Sequence, residues 1–207
     1  QCYALNNYPK SKLKFIGSNK NFPQGPKILI IPGTGLGLSI LINCKSIATE
    51  AGHLNIPKIS DEIDHLLEDF KKENKRIATF EDLLSGKGIS YIYGFLSQNY
   101  DHSYSNEDIL NNDKDDSFCE ETKVFLIKIF AIFAKYTALV IGSSGGVYLA
   151  GSLSDSLLKD NDFSEFIDTF EESKKMDKYL SNIPVFLIND EDLGYMGALE
   201  VYKNEII

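Results

Sequence analysis

The sequence predicts an α/β fold, and two features carry that prediction. Short apolar runs bounded by glycine, proline or polar turn residues, such as Lys27 to Ile31, Val147 to Ala150 and Ile183 to Ile188, read as strands. Between them lie longer segments whose apolar residues recur at helical spacing, as Ile63, Leu66, Leu67 and Phe70 do. Strands mixed with helices in this way pack as a sheet against helices. At 207 residues the chain can bury a full core and fits one domain, or at most one and a half.

Taken in order, residues 1–26 are polar, with Pro9, Pro23 and Pro26, and read as loop or edge structure. Lys27 to Ile31 is the first strand. Leu38 to Ile47 is β-like and is expected to pair back as a hairpin. Ser60 caps an amphipathic helix that reaches Arg76. Thr79 followed three residues later by Asp82 has the form of a capping box. It starts a short helix through Leu84 that should stop at Gly86-Lys87-Gly88. Further helices are expected from Ile89 to about Gln98 and from Asn106 to Leu110. The polar run Asn111 to Asp116 reads as a solvated loop, and a long helix follows from about Cys119 to Ile141. Gly142-Ser143-Ser144-Gly145-Gly146 opens the strand at Val147. Residues 154–180 read as mostly helical, and Gly194 to Lys203 as the last helix.

Composition narrows the function. The net charge of −9 makes a nucleic-acid backbone an unsuitable partner, so an anionic ligand would need a local cluster of backbone N–H groups. Cys2, Cys44 and Cys119 are odd in number and widely spaced, which fits reduced thiols and neither a zinc ribbon nor a disulfide framework. The apolar run Val124 to Ile141 carries Lys128 and Lys135 on one helix face. That pattern suits a mostly buried helix with one wet edge and not a membrane span. No signal peptide is visible, and a cytoplasmic location is expected.

Three places carry chemistry. Gly33-Thr34-Gly35-Leu36-Gly37 ends the first strand in a glycine-rich turn, which lets backbone N–H groups approach an anion, with the Thr34 hydroxyl beside them. Leu38 excludes a GxGxxG fingerprint starting at Gly33, and no lysine follows Gly37 to make a Walker A loop. A plain glycine-rich β-turn fits the loop equally well. Glu50-Ala51-Gly52-His53 offers a carboxylate and an imidazole, groups that recognise sugar hydroxyls. Glu81 adds a second carboxylate, although the second position of a capped helix explains it as well.

In this order the pieces resemble the bacterial glucokinase family. The resemblance rests on Gly33–Gly37, Glu50–His53, Glu81-Asp82-Leu83-Leu84-Ser85-Gly86, Gly145-Gly146-Val147-Tyr148-Leu149-Ala150-Gly151, Ile183–Ile188 and Leu193-Gly194-Tyr195-Met196-Gly197-Ala198. It implies an actin/hexokinase-like (ribonuclease H-like) large domain, a mixed sheet flanked by helices, over residues 1–207. It implies ATP-dependent phosphorylation of glucose at the 6-hydroxyl, with ATP and Mg2+. It assigns Glu50, His53 and Glu81 to the sugar, and Gly33, Thr34, Gly35, Gly37, Gly145 and Gly146 to ATP. It is compatible with a homodimer. Ala51, Ser152 and Leu153 depart from residues common in the family, and no cysteine lies between Cys44 and Cys119 where related sugar kinases bind zinc. The family's catalytic aspartate and small N-terminal domain fall before Gln1, so this chain by itself is expected to be inactive. Two other readings stand beside it: a glycosidase using Glu50 and Glu81 as its carboxylate pair, and a non-catalytic sugar- or nucleotide-binding module.

Overall fold

A computed structural model describes residues 1–112, 115–159 and 162–205. Its centre is a six-stranded sheet of order β1-β6-β5-β2-β3-β4. The strands are β1 (Lys14–Phe15), β2 (Lys27–Pro32), β3 (Leu36–Ile42), β4 (Lys45–Thr49), β5 (Gly146–Ala150) and β6 (Val185–Ile188). β2, β5 and β6 run parallel, while β1, β3 and β4 pair antiparallel with their neighbours. The all-apolar runs of β5 and β6 are buried along their whole length, as central parallel strands covered on both faces should be.

Alternation along β2 and β3 separates two cores. Ile28, Ile30, Leu38 and Ile40 face one side and pack with the main helical layer. That layer comprises α1 (Asp61–Asn74), α2 (Phe80–Leu83), α3 (Gly86–Ser97), α4 (Asn106–Asn111), α5 (Ser117–Ile141), α6 (Ser152–Leu157), α7 (Ser164–Glu171) and α8 (Asp177–Ser181). Leu29, Leu41, Tyr148 and Phe186 face the other side, where the 3-10 turn Cys2–Asn6 and the helix α9 (Leu193–Glu205) lie.

α5 is long and apolar enough to cross a membrane by length and composition. Its Leu126, Ile129, Phe130 and Phe133 belong to the main core. Lys128 reaches Glu165 of α7 at 3.6 Å, and the Lys135 ammonium donates to the Glu172 carbonyl at 2.8 Å. Burial lowers the Lys135 pKa.

Most expected elements are present, with four differences. The β-like stretch Leu38 to Ile47 is two strands. β3 pairs back on β2, then turns at Asn43 and Cys44, both left-handed (φ 48° and 63°), to pair with β4. That is the conformation a two-residue hairpin turn requires. α3 starts at Gly86, not after Gly88, because the Ser85 hydroxyl caps it and Gly88 must pass the backbone of Leu83, where a Cβ would sit 2.1 Å from the Leu83 carbonyl oxygen. Here glycine permits a tight corner between helices; it does not end one. Lys14–Phe15 adds an edge strand within the polar N-terminal segment, and residues 154–180 hold three separate helices. Of the expected loop Asn111 to Asp116, Asp113 and Lys114 lie outside the described residues, as do Asp160 and Asn161.

The capping box at α2 forms as expected. The Asp82 carboxylate accepts from the Thr79 N–H and hydroxyl, both at 2.8 Å, and from the Arg76 guanidinium. Burial pushes the Asp82 pKa up, but the Arg76 and Thr79 hydrogen bonds outweigh it and hold the carboxyl at about 2, below its usual 3.8. A depressed folded pKa gives stability that is present above 3.8 and lost as pH falls through about 2. Asp82→Ala should cost about 1–2 kcal/mol in urea unfolding at neutral pH. The gap between variant and parent should close when the unfolding is repeated across that acid window.

Candidate functional site

The turn Gly33-Thr34-Gly35 joins β2 to β3 at the C-terminal end of β2. Inside it the Gly33 N–H donates to the Gly35 carbonyl at 2.8 Å. Among the described residues the N–H groups of Thr34 and Gly35 find no protein acceptor. A Cβ on Gly33 would meet nothing within 4 Å, and one on Gly37 would make only ordinary contact. The fold therefore does not need glycine at 33 or 37, and the space beside them is open. Gly35 differs, because a Cβ there would sit 2.7 Å from Glu81 Oε2.

Glu81 reaches the turn from the first turn of α2. Its Oε2 accepts the Leu36 N–H at 2.9 Å, which fixes the carboxylate against the glycine loop. The α2 start is itself tied back: the Phe80 N–H donates to the Leu54 carbonyl, and the Ile56 N–H to the Ala78 carbonyl, both at 3.0 Å. The Gly86 N–H donates to the Gly33 carbonyl at 3.3 Å. These bonds place the 3-10 turn Ala51–His53 beside Glu81. Gly52 lets that turn press on β3, since a Cβ at 52 would lie 2.5 Å from the Leu36 carbonyl oxygen.

The three residues expected to meet a sugar are thus brought together. His53 Nε2 stands 3.8 Å from Glu50 Oε2, and His53 Nδ1 stands 4.0 Å from Glu81 Oε1. The Glu50 side chain is 90% exposed, so its pairing with His53 adds little stability and its oxygens are open to a ligand. Gly33, Thr34, Gly35, Gly37, Glu50 and Glu81 line one polar cleft of ≈ 490 Å³, with Ser39, Thr49 and Gln1.

Gly145 and Gly146 are not part of this assembly. Gly146 pairs with Lys27 at the start of β2, whereas Leu149 pairs with Ile30, so the glycine pair sits at the opposite end of the strands from the Gly33–Gly37 turn. Local geometry accounts for both: a Cβ on Gly145 would meet the Gly25 carbonyl oxygen at 2.3 Å, and Gly146 has φ 120°. The residue of that segment which does approach the turn is Gly151, with φ 94° and Ile31 and Pro32 against it.

Gly151 belongs to a second cleft of ≈ 270 Å³, at the C-terminal ends of β2, β5 and β6. Ile31, Ala150, Ile188, Asn189, Asp190 and Asp155 line it, and it shares Gln1 and Ile31 with the first. Sequence reasoning assigned no role to Asn189, Asp190 or Asp155. The signal that finds them is positional: in open sheets with parallel strands, ligands bind at the carboxyl ends of the strands. Asp190 accepts from Lys12 at 2.9 Å and Tyr8 at 3.0 Å, and the Lys12 hydrogen bond leads the causes that hold its pKa low. Among the described residues one Asp155 oxygen is buried without a hydrogen-bond partner, and burial raises that carboxyl's pKa.

Comparison with known proteins bears on the family and on the fold. The family model described as Glucokinase matches residues 1–205. The glucokinase of Neisseria gonorrhoeae (strain ATCC 700825 / FA 1090) is 30% identical over 217 residues, covering 100% of this chain and 65% of that protein. That of Hahella chejuensis (strain KCTC 2396) is 28% identical over 214 residues, covering 94% and 63%. The chain therefore spans less than two thirds of the length of these relatives. Among solved structures, glucokinase from an Antarctic psychrotroph superposes with a TM-score of 0.84 at 22% identity, over 98% of this chain and 65% of that one. Glucokinase from Balamuthia mandrillaris in complex with glucose gives 0.81 at 22% identity, over 97% and 62%. At these identities the superpositions establish the fold: a central mixed sheet flanked by helices, as in the actin and hexokinase ATPases.

The contrast between Gly33 and Gly35 is measurable without any ligand. Gly35→Ala should displace Glu81 from the Leu36 N–H and cost about 1–3 kcal/mol in denaturant unfolding. Gly33→Ala should stay within about 0.5 kcal/mol of the parent.

Proposed function

Because the chain belongs to the glucokinase family, we propose that it forms the large domain of an ATP-dependent kinase that phosphorylates glucose at the 6-hydroxyl. The observation that carries this reading is the junction at Leu36, which sets two carboxylates and an imidazole beside a turn with two unused N–H groups. Carboxylates and imidazole suit a neutral polyol, and free backbone N–H groups suit phosphate.

In this reading Glu50, His53 and Glu81 orient the sugar ring through its hydroxyls. Glu81 Oε2 is already occupied by the loop, so Oε1 is the atom left for the sugar. The Thr34 and Gly35 N–H groups and the Thr34 hydroxyl donate to phosphate oxygens, and open space at Gly33 and Gly37 lets the phosphates come close. The second cleft, at Gly151 and Asn189, takes the nucleoside. Gly145 and Gly146 are not assigned to the nucleotide. Bound Mg-ATP supplies the transferable phosphoryl group and the metal charge that offsets it. The rest of the work is positioning and charge stabilisation by preorganised donors.

The general base that takes the 6-hydroxyl proton is assigned to the part of the relatives' length that this chain does not span.

The test is ATP-dependent glucose phosphorylation by the product of the reading frame extended upstream of Gln1. Activity that requires both substrates is expected. Calorimetry with Glu50→Ala and Glu81→Gln should show glucose affinity reduced by about tenfold or more, equivalent to about 1.4 kcal/mol or more, with ATP affinity retained in Glu50→Ala. Binding of both ligands without turnover would reduce the protein to a binding module, and failure to bind glucose would sink the assignment of the sugar site.

A further inference from the structure

A third cleft, of ≈ 390 Å³, adjoins the second, with Asp155 and Asn189 lining both. Lys14 of the edge strand β1, Asn111 of α4, and Lys12 and Lys159 also line it. Three ammonium groups around one cleft are a local reversal of charge in a chain of net charge −9. Among the described residues only Lys12 forms an ion pair, with Asp190 at 2.9 Å, and Asp190 lines the second cleft. The Lys14 ammonium lies 4.8 Å from the centre of the Phe163 ring, and that of Lys159 donates to the neutral Asn111 Oδ1 at 2.6 Å. Two positive charges therefore border the cleft without an opposite charge in contact.

Asp155 is the second unsettled group. Its Oδ1 is buried and, among the described residues, accepts no hydrogen bond. Buried polar atoms nearly always have a partner, so this oxygen marks a place for a donor that the chain does not supply. Lys14 favours its ionised form against the effect of burial, yet makes no ion pair with it. The cleft thus presents two needs side by side: an anion for the ammonium groups, and a hydroxyl or similar donor for the carboxylate.

We infer that the third cleft is a binding site for a small phosphorylated polyol, with Lys14 and Lys159 on the phosphate and Asp155 on a hydroxyl. The two needs select this class together. A bare anion would leave Asp155 without a donor, beside a like charge. A neutral polyol would leave the ammonium groups without a counter-charge. A phosphate ester carrying hydroxyls meets both, and the cleft has the volume of a small-ligand site. Because Asp155 and Asn189 also line the second cleft, an occupant of the third competes for the same wall. Resting on the assignment of the nucleoside to the second cleft, this makes the two ligands antagonistic: each weakens the other by the same factor.

Calorimetry at fixed ionic strength tests this with three probes: glycerol 3-phosphate, inorganic phosphate and glycerol. Glycerol 3-phosphate is expected to bind more tightly than phosphate, and glycerol not at all. Lys14→Gln and Lys159→Gln should each weaken glycerol 3-phosphate by about tenfold, whereas Lys72→Gln, on the exposed face of α1, should not. Asp155→Ala should narrow the gap between glycerol 3-phosphate and phosphate. No saturable binding would overturn the inference. So would binding that Thr34→Ala abolishes and the lysine variants do not, since that places the phosphate at the glycine turn. Should a variant fail to fold, amine labelling of the parent chain decides: glycerol 3-phosphate must protect Lys14 and Lys159 and leave Lys72 reactive. A non-hydrolysable ATP analogue titrated with and without glycerol 3-phosphate tests the antagonism. Unchanged analogue affinity beside protected lysines would overturn the antagonism and the nucleoside assignment, and leave the site standing.

Discussion

The peptide unit of Leu36 is the constraint on which the site depends. Its N–H is held by Glu81, and its carbonyl is packed by Gly52 so closely that no side chain fits there. One residue at the start of β3 therefore fixes three pieces far apart in sequence: the glycine turn before it, the 3-10 turn that carries His53, and the start of α2. A hydrogen bond to a charged acceptor is worth more than a neutral one and is directional, so it positions the carboxylate as well as binding it. Gly35 is the cost of that arrangement, since only a residue without a Cβ leaves room for the Glu81 oxygen.

The sheet supplies the frame. β2 sits near its middle, with β3 antiparallel on one side and β5 parallel on the other. Its C-terminal end thus faces both the hairpin turn and the carboxyl ends of β5 and β6. That is why two clefts share Ile31. The strand order thus brings the glycine turn and Gly151 to the same end of the sheet. The strands β5 and β6 that end here are buried along their whole length, a well-packed base for a site whose chemistry would rest on positioning.

Much of the fold was legible in the sequence. Ser60 caps α1, Thr79 and Asp82 form their capping box, and Ile63, Leu66 and Phe70 are buried on one helix face. Each of these is a local rule with its own short-range energetics. The misreadings came where a distant contact overrode the local rule. Gly86 and Gly88 looked like a stop signal but lie inside α3, because Leu83 crowds Gly88 from the preceding helix. Asn43 and Cys44 sit within an apolar run and turn the chain only because β4 pairs back on β3. The resemblance assigns Gly145 and Gly146 to ATP, whereas the structure sets them at the far end of β2 from the Gly33–Gly37 turn, with Gly25 close to Gly145 and a positive φ at Gly146.

The sequence by itself determined the residue chemistry: two carboxylates, an imidazole and a glycine turn, with the family that their order resembles, and the alternation that decides which side chains face which core. Those properties follow from side-chain type and from the periods of helix and strand, which act over a few residues. Only the tertiary structure decided that Glu50, His53 and Glu81 meet, that Gly33 and Gly37 border open space while Gly35 does not, and that Gly151 belongs with the turn and Gly145 does not. Those outcomes depend on strand order, register and the approach of backbones dozens of residues apart, and no local pattern encodes which end of a strand a glycine will share with another.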